Sequence, residues 1–137
     1  DFIPLSKEVS MIENYLQLEY QRFNDKFTYT LHIDDAIDQD DVLIPNMIIQ
    51  PHLENAVWHG LRYKDSLGLL QVVISKNNNS IQVTVEDNGI GFDKQMLEHS
   101  SGMGWSNIAS RIGYLKGKID VQSEIGNGTS IHIEIPL

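Results

Sequence analysis

The chain has no cysteine among its 137 residues, which excludes a disulfide scaffold, thiolate metal sites and a cysteine nucleophile. It has no apolar run near the roughly 20 residues a membrane helix needs, and no secretory leader opens it. Positive charge is scarce as well. Ten Lys and Arg stand against 19 Asp and Glu, a net charge of −9. An acidic surface without clustered cations argues against nucleic acid as a partner. What is present is ordinary globular material, 41% hydrophobic and 21% charged, in a length that suits one domain of about 100–150 residues. The expectation is a soluble, cytoplasmic domain with no direct membrane contact. The opening on Asp1 rather than a methionine is read as a piece of something longer.

Apolar periodicity places the elements. Leu5, Val9, Ile12, Leu16 and Phe23 recur at helical steps between Pro4 and about Asp25, with Glu19 interrupting the seam. Ser6 is the expected N-cap, and Glu8 suits the positive end of the helix dipole. Two readings fit this helix: one packed on its own domain, or the tail of a longer coiled-coil or bundle helix. Phe27 to Ile33 alternates as a strand. Asp34, Asp35, Asp38, Asp40 and Asp41 then make a solvated acidic loop, which lacks the glycine and terminal Glu of a calcium loop.

A second helix is expected from Pro45 to about Leu61, broken or kinked at Pro51. Strands follow at about Leu69–Lys76 and Ser80–Glu86. A glycine-punctuated loop precedes a third helix, Trp105 to Lys116, stopped by Gly117 as C-cap. Strands Lys118–Glu124 and Thr129–Ile135 close the chain. Helices mixed with hairpin-linked strands predict an α+β two-layer sandwich, a mixed but mostly antiparallel sheet backed by helices on one face.

Three clusters carry chemistry. Ile81, Val83, Val85 and Asp87 share period two, so Asp87 turns toward the apolar side of its strand. A carboxylate there needs a donor, and an exocyclic amine of a bound base would serve, with Gly89 and Gly91 letting the ligand near the backbone. Thr129 shares a face with Ile131, Ile133 and Ile135, and its hydroxyl would join Asp87 in the same slot. On the second helix Ile49, Leu53, Ala56 and Val57 form a core stripe, while Asn55, His59 and Arg62 fall at i, i+4 and i+7. An amide, an imidazole and a guanidinium on one stripe suit a magnesium–phosphate group. Gly102-Met103-Gly104 precedes the third helix, whose free N–H groups suit phosphate. Each pattern taken singly is also what a hairpin turn, a strand start or an exposed polar face looks like.

Together they are more specific. Asn55, Asp87-x-Gly89-x-Gly91, Gly102-x-Gly104 and Gly126-x-Gly128-Thr129 occur in order over about 75 residues. This resembles the ATP-binding domain of the GHKL superfamily, shared by histidine kinases, gyrase-type ATPases, Hsp90 and MutL. Tyr15-Leu16-x-Leu18-Glu19-x-x-Arg22-Phe23, Ile44-Pro45 and Gln50-Pro51-x-Leu53-Glu54-Asn55-Ala56-x-x-His59-Gly60 narrow the resemblance to LytS-type sensor histidine kinases.

The resemblance implies a Bergerat-type fold and the cofactors ATP and Mg2+. Asn55 would hold the metal and, with His59, serve catalysis. Asp87, Gly89, Gly91, Gly102, Gly104, Asn107 and Thr129 would complete the nucleotide shell, with a short lid at about Phe92 to Ser101. Residues 1–26 would be the end of a dimerisation or linker helix, and 27–137 the catalytic domain. The implied partners are an upstream dimerisation domain carrying the acceptor histidine, in a homodimer, and a response regulator. The parent protein would be cytoplasmic on this side, with or without an inner-membrane anchor.

Two departures bear on chemistry. The Glu that activates water in the ATPase branches is replaced by Pro51, which favours a kinase over a hydrolase. The Lys of many relatives is replaced by Trp58, leaving His59, Arg62 or Arg111 to supply charge. None of His32, His52, His59, His99 or His132 stands in the His-Phe-x-Phe-Asn setting of the acceptor. The rival expectation is a degenerate module that docks, with or without nucleotide, and transfers nothing.

Overall fold

A computed structural model describes residues 2–24, 26–93 and 105–137, the side chains of 105–107 excepted. Period-two alternation builds the main sheet. Its strands are β2 (Phe27–Ile33), β4 (Gly68–Asn77), β5 (Ser80–Asp87), β6 (Lys118–Glu124) and β7 (Gly128–Pro136), in spatial order β2-β4-β5-β7-β6. The β2–β4 pair is parallel and the other three pairs are antiparallel. The register lines up rows across the sheet. Leu31, Val72, Val85, Ile131 and Val121 make one apolar row, and Tyr29, Leu70, Asp87, Thr129 and Ser123 make the next. The apolar face therefore ends, at one edge, in three adjacent polar side chains.

Helices cover that face. α1 spans Leu5–Arg22, α2 spans Gln50–Asn55 and α3 spans Trp105–Tyr114. The buried side of α1, with Leu5, Val9, Ile12 and Leu16, shares one core with Ile49, Leu53 and Val57 of the α2 segment and with the sheet. A small antiparallel ladder, β1 (Phe2–Pro4) with β3 (Leu43–Pro45), closes the side of the helical layer.

The helix starts differ from expectation. Ser6 makes no capping bond. The first amides of α1 are taken by the acidic loop instead, with Leu5 N–H donating to Val42 C=O at 2.8 Å and Ser6 N–H to Gln39 C=O at 2.9 Å. Asp34 and Asp38 turn that loop by accepting from Ala36 and Asp40 N–H. Glu8 does not serve its own helix. Fully buried, it accepts from the N–H groups of Met47, Ile49 and Gln50 at 3.1, 3.0 and 3.4 Å, and so caps α2 across a gap of about forty residues.

Pro45 pairs with Phe2 in β3 rather than opening a helix. α2 starts five residues later, so Pro51 falls in its first turn, where no N–H is required, and produces no kink. The irregularity comes downstream. After Asn55 the chain widens into a π-turn, Ala56–Gly60, and tightens into a 3₁₀ turn, Leu61–Tyr63. α3 ends at Tyr114, and the left-handed residue beyond it is Lys116 (φ 62°) rather than Gly117. Gly117 is needed for a different reason: a side chain there would strike the Glu134 carbonyl.

Glu8→Ala leaves the amides at the start of α2 without their acceptor and should destabilise the domain by about 3–5 kcal/mol in urea unfolding. Glu8→Gln keeps one acceptor oxygen and should cost less than half of that. Equal stability of both variants and the parent would contradict the cap.

Candidate functional site

The polar row at the end of the sheet meets α2 from below. Between them lies a slot of about 500 Å³, counting its open mouth, lined from the helical side by His52, Asn55, Ala56, His59 and Gly60. Val85, Asp87, Thr129, Ile131 and Val121 line it from the sheet, and Gly91 and Phe92 from the loop after β5. Its walls are chiefly apolar, with polar groups at few points, the usual make-up of a small-molecule site.

Asp87 dominates its electrostatics. Its Oδ1 accepts from Gly89 N–H at 2.8 Å, and the Thr129 amide also donates to the carboxyl. Loss of water nonetheless wins: desolvation pushes Asp87 up to about 6, against the pull of those two amides. Beside it the Thr129 and Ser123 hydroxyls bond each other at 2.8 Å, and Ser123 Oγ accepts from Phe92 N–H at 2.9 Å. That bond ties the start of the loop to the sheet.

The glycines do something other than admit a ligand. A methyl group on Gly89 would lie 2.5 Å from the carbonyl carbon of Gly60, so Gly89 lets the loop press on the π-turn backbone. Gly91 has φ 68°, and any side chain there would collide with the Glu124 carbonyl. These contacts are chiefly with backbone atoms. Of the two, only Gly91 lines the slot.

Asn55 and His59 both reach the slot, His59 from an exposed position at its mouth. Arg62 does not. The π-turn breaks the i, i+4, i+7 stripe, and Arg62 stacks on Trp58 and Tyr63, 5.1 and 5.0 Å from the ring centres. Arg111 is also turned elsewhere, donating to the Asn46 carbonyl. Trp58 packs edge-on to Phe23 at 5.3 Å, with Arg22 over its ring, so it pins α2 to α1 rather than facing the slot. Gly102, Gly104 and most of the expected lid lie outside the described residues. So does the Asn107 side chain, although its backbone is in α3.

Sequence reasoning passed over Val85, Val121 and Ile131 as lining residues, although the alternation that exposed Asp87 contains them. It also passed over His52 and Gly60. His52 was readable, because it lies three residues before Asn55 and four before Ala56 on the same helical face. Among the described residues no three carboxylates or imidazoles cluster to hold a metal, and no helix is long and apolar enough to cross a membrane.

Residues 41–137 match the family described as Histidine kinase-, DNA gyrase B-, and HSP90-like ATPase. The chain belongs to that family. Within it, the sensor protein LytS of Oceanobacillus iheyensis is 31% identical over 98% of this chain, and the LytS of Staphylococcus haemolyticus 35% over 94%. The chain spans 25% and 19% of their lengths. The histidine kinase domain of the blue-light activated histidine kinase from Erythrobacter litoralis superposes with a TM-score of 0.75 at 22% identity. That superposition covers 98% of this chain and 62% of that one, and it shares the fold. The GHKL fold expected from the motif order is thus the fold present, a five-stranded mixed sheet under a layer of helices.

In this GHKL domain the site residue works against stability. Protonation is favoured in the folded state, so the contribution of Asp87 is most favourable below about pH 4 and is lost as pH rises through about 6. Asp87→Asn keeps an acceptor for the Gly89 amide and removes the charge. It should raise stability at pH 7 by about 2 kcal/mol, with the gain fading toward pH 4, in denaturant unfolding at several pH values. A variant less stable than the parent at pH 7 would contradict the desolvation argument.

Proposed function

We propose that this domain binds ATP in the slot and presents its γ-phosphoryl group to a histidine outside these 137 residues. The observation that carries the reading is Asp87: a carboxyl desolvated in an apolar slot, with both bonded donors being backbone amides of its own surroundings. The amine of an adenine supplies a further donor and favours the charged form. Affinity for adenine nucleotide then falls as pH drops below about 6.

The residues fit a nucleotide with its metal. Val85, Val121, Ile131 and Phe92 offer apolar walls to a flat base, and Thr129 offers a hydroxyl beside the carboxyl. Asn55 sits on the helical wall, where its amide oxygen would ligate magnesium. Magnesium commonly keeps several waters and phosphate oxygens and needs few protein ligands. The metal supplies charge neutralisation at the phosphates. His59, exposed at the mouth, is the nearby group that would donate to a phosphate oxygen, since Arg62 and Arg111 are turned away.

Transfer is an in-line displacement: the acceptor imidazole nitrogen bonds to the γ-phosphorus as its bond to the ADP oxygen breaks. The slot residues orient the nucleotide and exclude water from its base; they do not attack. Pro51, in the first turn of α2, brings no carboxylate to the position four residues before Asn55, which favours transfer over hydrolysis. We divide the chain into a helix, 1–26, that continues a dimerisation region and a catalytic domain, 27–137. A response regulator would be the eventual phosphoryl recipient. Trp58 supports a second reading, a docking module without transfer, because a packed indole occupies the place of a phosphate-binding cation.

Incubated with γ-labelled ATP, the 137-residue chain should stay unlabelled, and a longer chain carrying an upstream acceptor helix should take label that is acid-labile. Stable label on the short chain would overturn the missing acceptor. A longer chain that binds nucleotide and takes no label would favour the docking module.

A further inference from the structure

The polar row of the sheet runs one residue past the slot. Asp87, Thr129 and Ser123 are cross-strand neighbours on β5, β7 and β6, and of the three only Asp87 and Thr129 line the slot. The transfer proposed above makes no use of Ser123, yet its hydroxyl has three polar neighbours. Ser123 Oγ accepts from Phe92 N–H at 2.9 Å, lies 3.1 Å from the Gly128 carbonyl oxygen, and lies 2.8 Å from Thr129 Oγ1.

A hydroxyl has one proton to give and two lone pairs that receive. The Phe92 amide is only a donor, so it takes one lone pair of Ser123. The Gly128 carbonyl is only an acceptor, so it takes the Ser123 proton. One lone pair is left, and Thr129 meets it only by donating. All three contacts are satisfied in a single way, with the Thr129 proton spent on Ser123. Thr129 then offers the slot lone pairs alone, beside a carboxylate that is also an acceptor.

We propose that Ser123 is a positioning residue that fixes Thr129 as a second acceptor, so that the slot selects a base carrying an amine over one carrying a carbonyl oxygen at that place. This rests on the adenine-nucleotide reading above. An exocyclic amine has two N–H bonds and serves both Asp87 and Thr129. A carbonyl oxygen there meets acceptors and no donor. A Thr129 hydroxyl free of Ser123 would turn its proton to that oxygen and tolerate it. Ser123 thus confers specificity from the layer behind Thr129, without touching the ligand.

The test compares Mg-ADP with Mg-IDP, whose base carries a carbonyl oxygen in place of the amine, by calorimetry at pH 7.5 on the parent chain, Ser123→Ala and Ser123→Thr. The parent should prefer ADP by about a hundredfold or more, because IDP leaves buried acceptors unpaired. Ser123→Ala should lower that preference about tenfold, the worth of one neutral hydrogen bond, and Ser123→Thr, which keeps the hydroxyl, should restore it. A role confined to holding Phe92 predicts instead that Ser123→Ala weakens both ligands by the same factor, and an unchanged preference overturns the inference. Thr129→Val removes the same acceptor and leaves Ser123 in place, so it should lower the preference too. An equal or stronger preference in Thr129→Val would make Thr129 no acceptor and overturn the inference as well. A parent that binds ADP and IDP alike, or neither, would overturn the adenine reading itself and this inference with it.

Discussion

A helix of six residues has no stability of its own in water, yet the slot exists only while α2 stays seated over the ends of β5 and β7. The seating is external. Glu8, buried in α1, receives the amides of Met47, Ile49 and Gln50 and so supplies the acceptors that a free helix start lacks. At the other end Trp58 is clasped by Phe23, Arg22 and Arg62. α1 therefore holds the helical wall of the slot at both ends. Through that pair of contacts, any displacement of α1 would be felt by Asn55 and His52, which lie between them.

The second consequence is energetic. The apolar rows of the sheet supply the core, and the row that ends them places Asp87 where water is excluded. The desolvation that makes the carboxyl costly in the empty domain is what a base amine would relieve on binding. The backbone contacts of Gly89 on the π-turn and Gly91 on the end of β6 leave no room for a side chain at either position. Stability is given up at Asp87.

Local pattern carried much of this. β2 and β6 fall where alternation puts them, and the same alternation points Asp87 to the apolar side of β5. The order of Asn55, Asp87, the glycines and Thr129 was enough for the fold family. What could not be read depends on distant partners or on broken phase. Pro45 is in a strand because Phe2 pairs with it. Glu8 looked like a dipole partner of its own helix because its acceptors lie about forty residues away. Arg62 left the expected stripe because a π-turn, which no residue type announces, shifts the helical phase after Asn55. Gly89 was assigned to a ligand because the approaching backbone of Gly60 comes from another element.

The net charge of −9 excludes neither ATP nor any other small anion, because base recognition in an apolar slot is local and the phosphates would meet their own metal. The account stands on Asp87 as the adenine acceptor. The most direct measurement is calorimetric titration of Mg-ADP into the parent chain and into Asp87→Asn at pH 7.5. The account predicts one site per chain in the parent and no measurable binding in the variant, whose fold is retained. Binding of equal strength to both would contradict it.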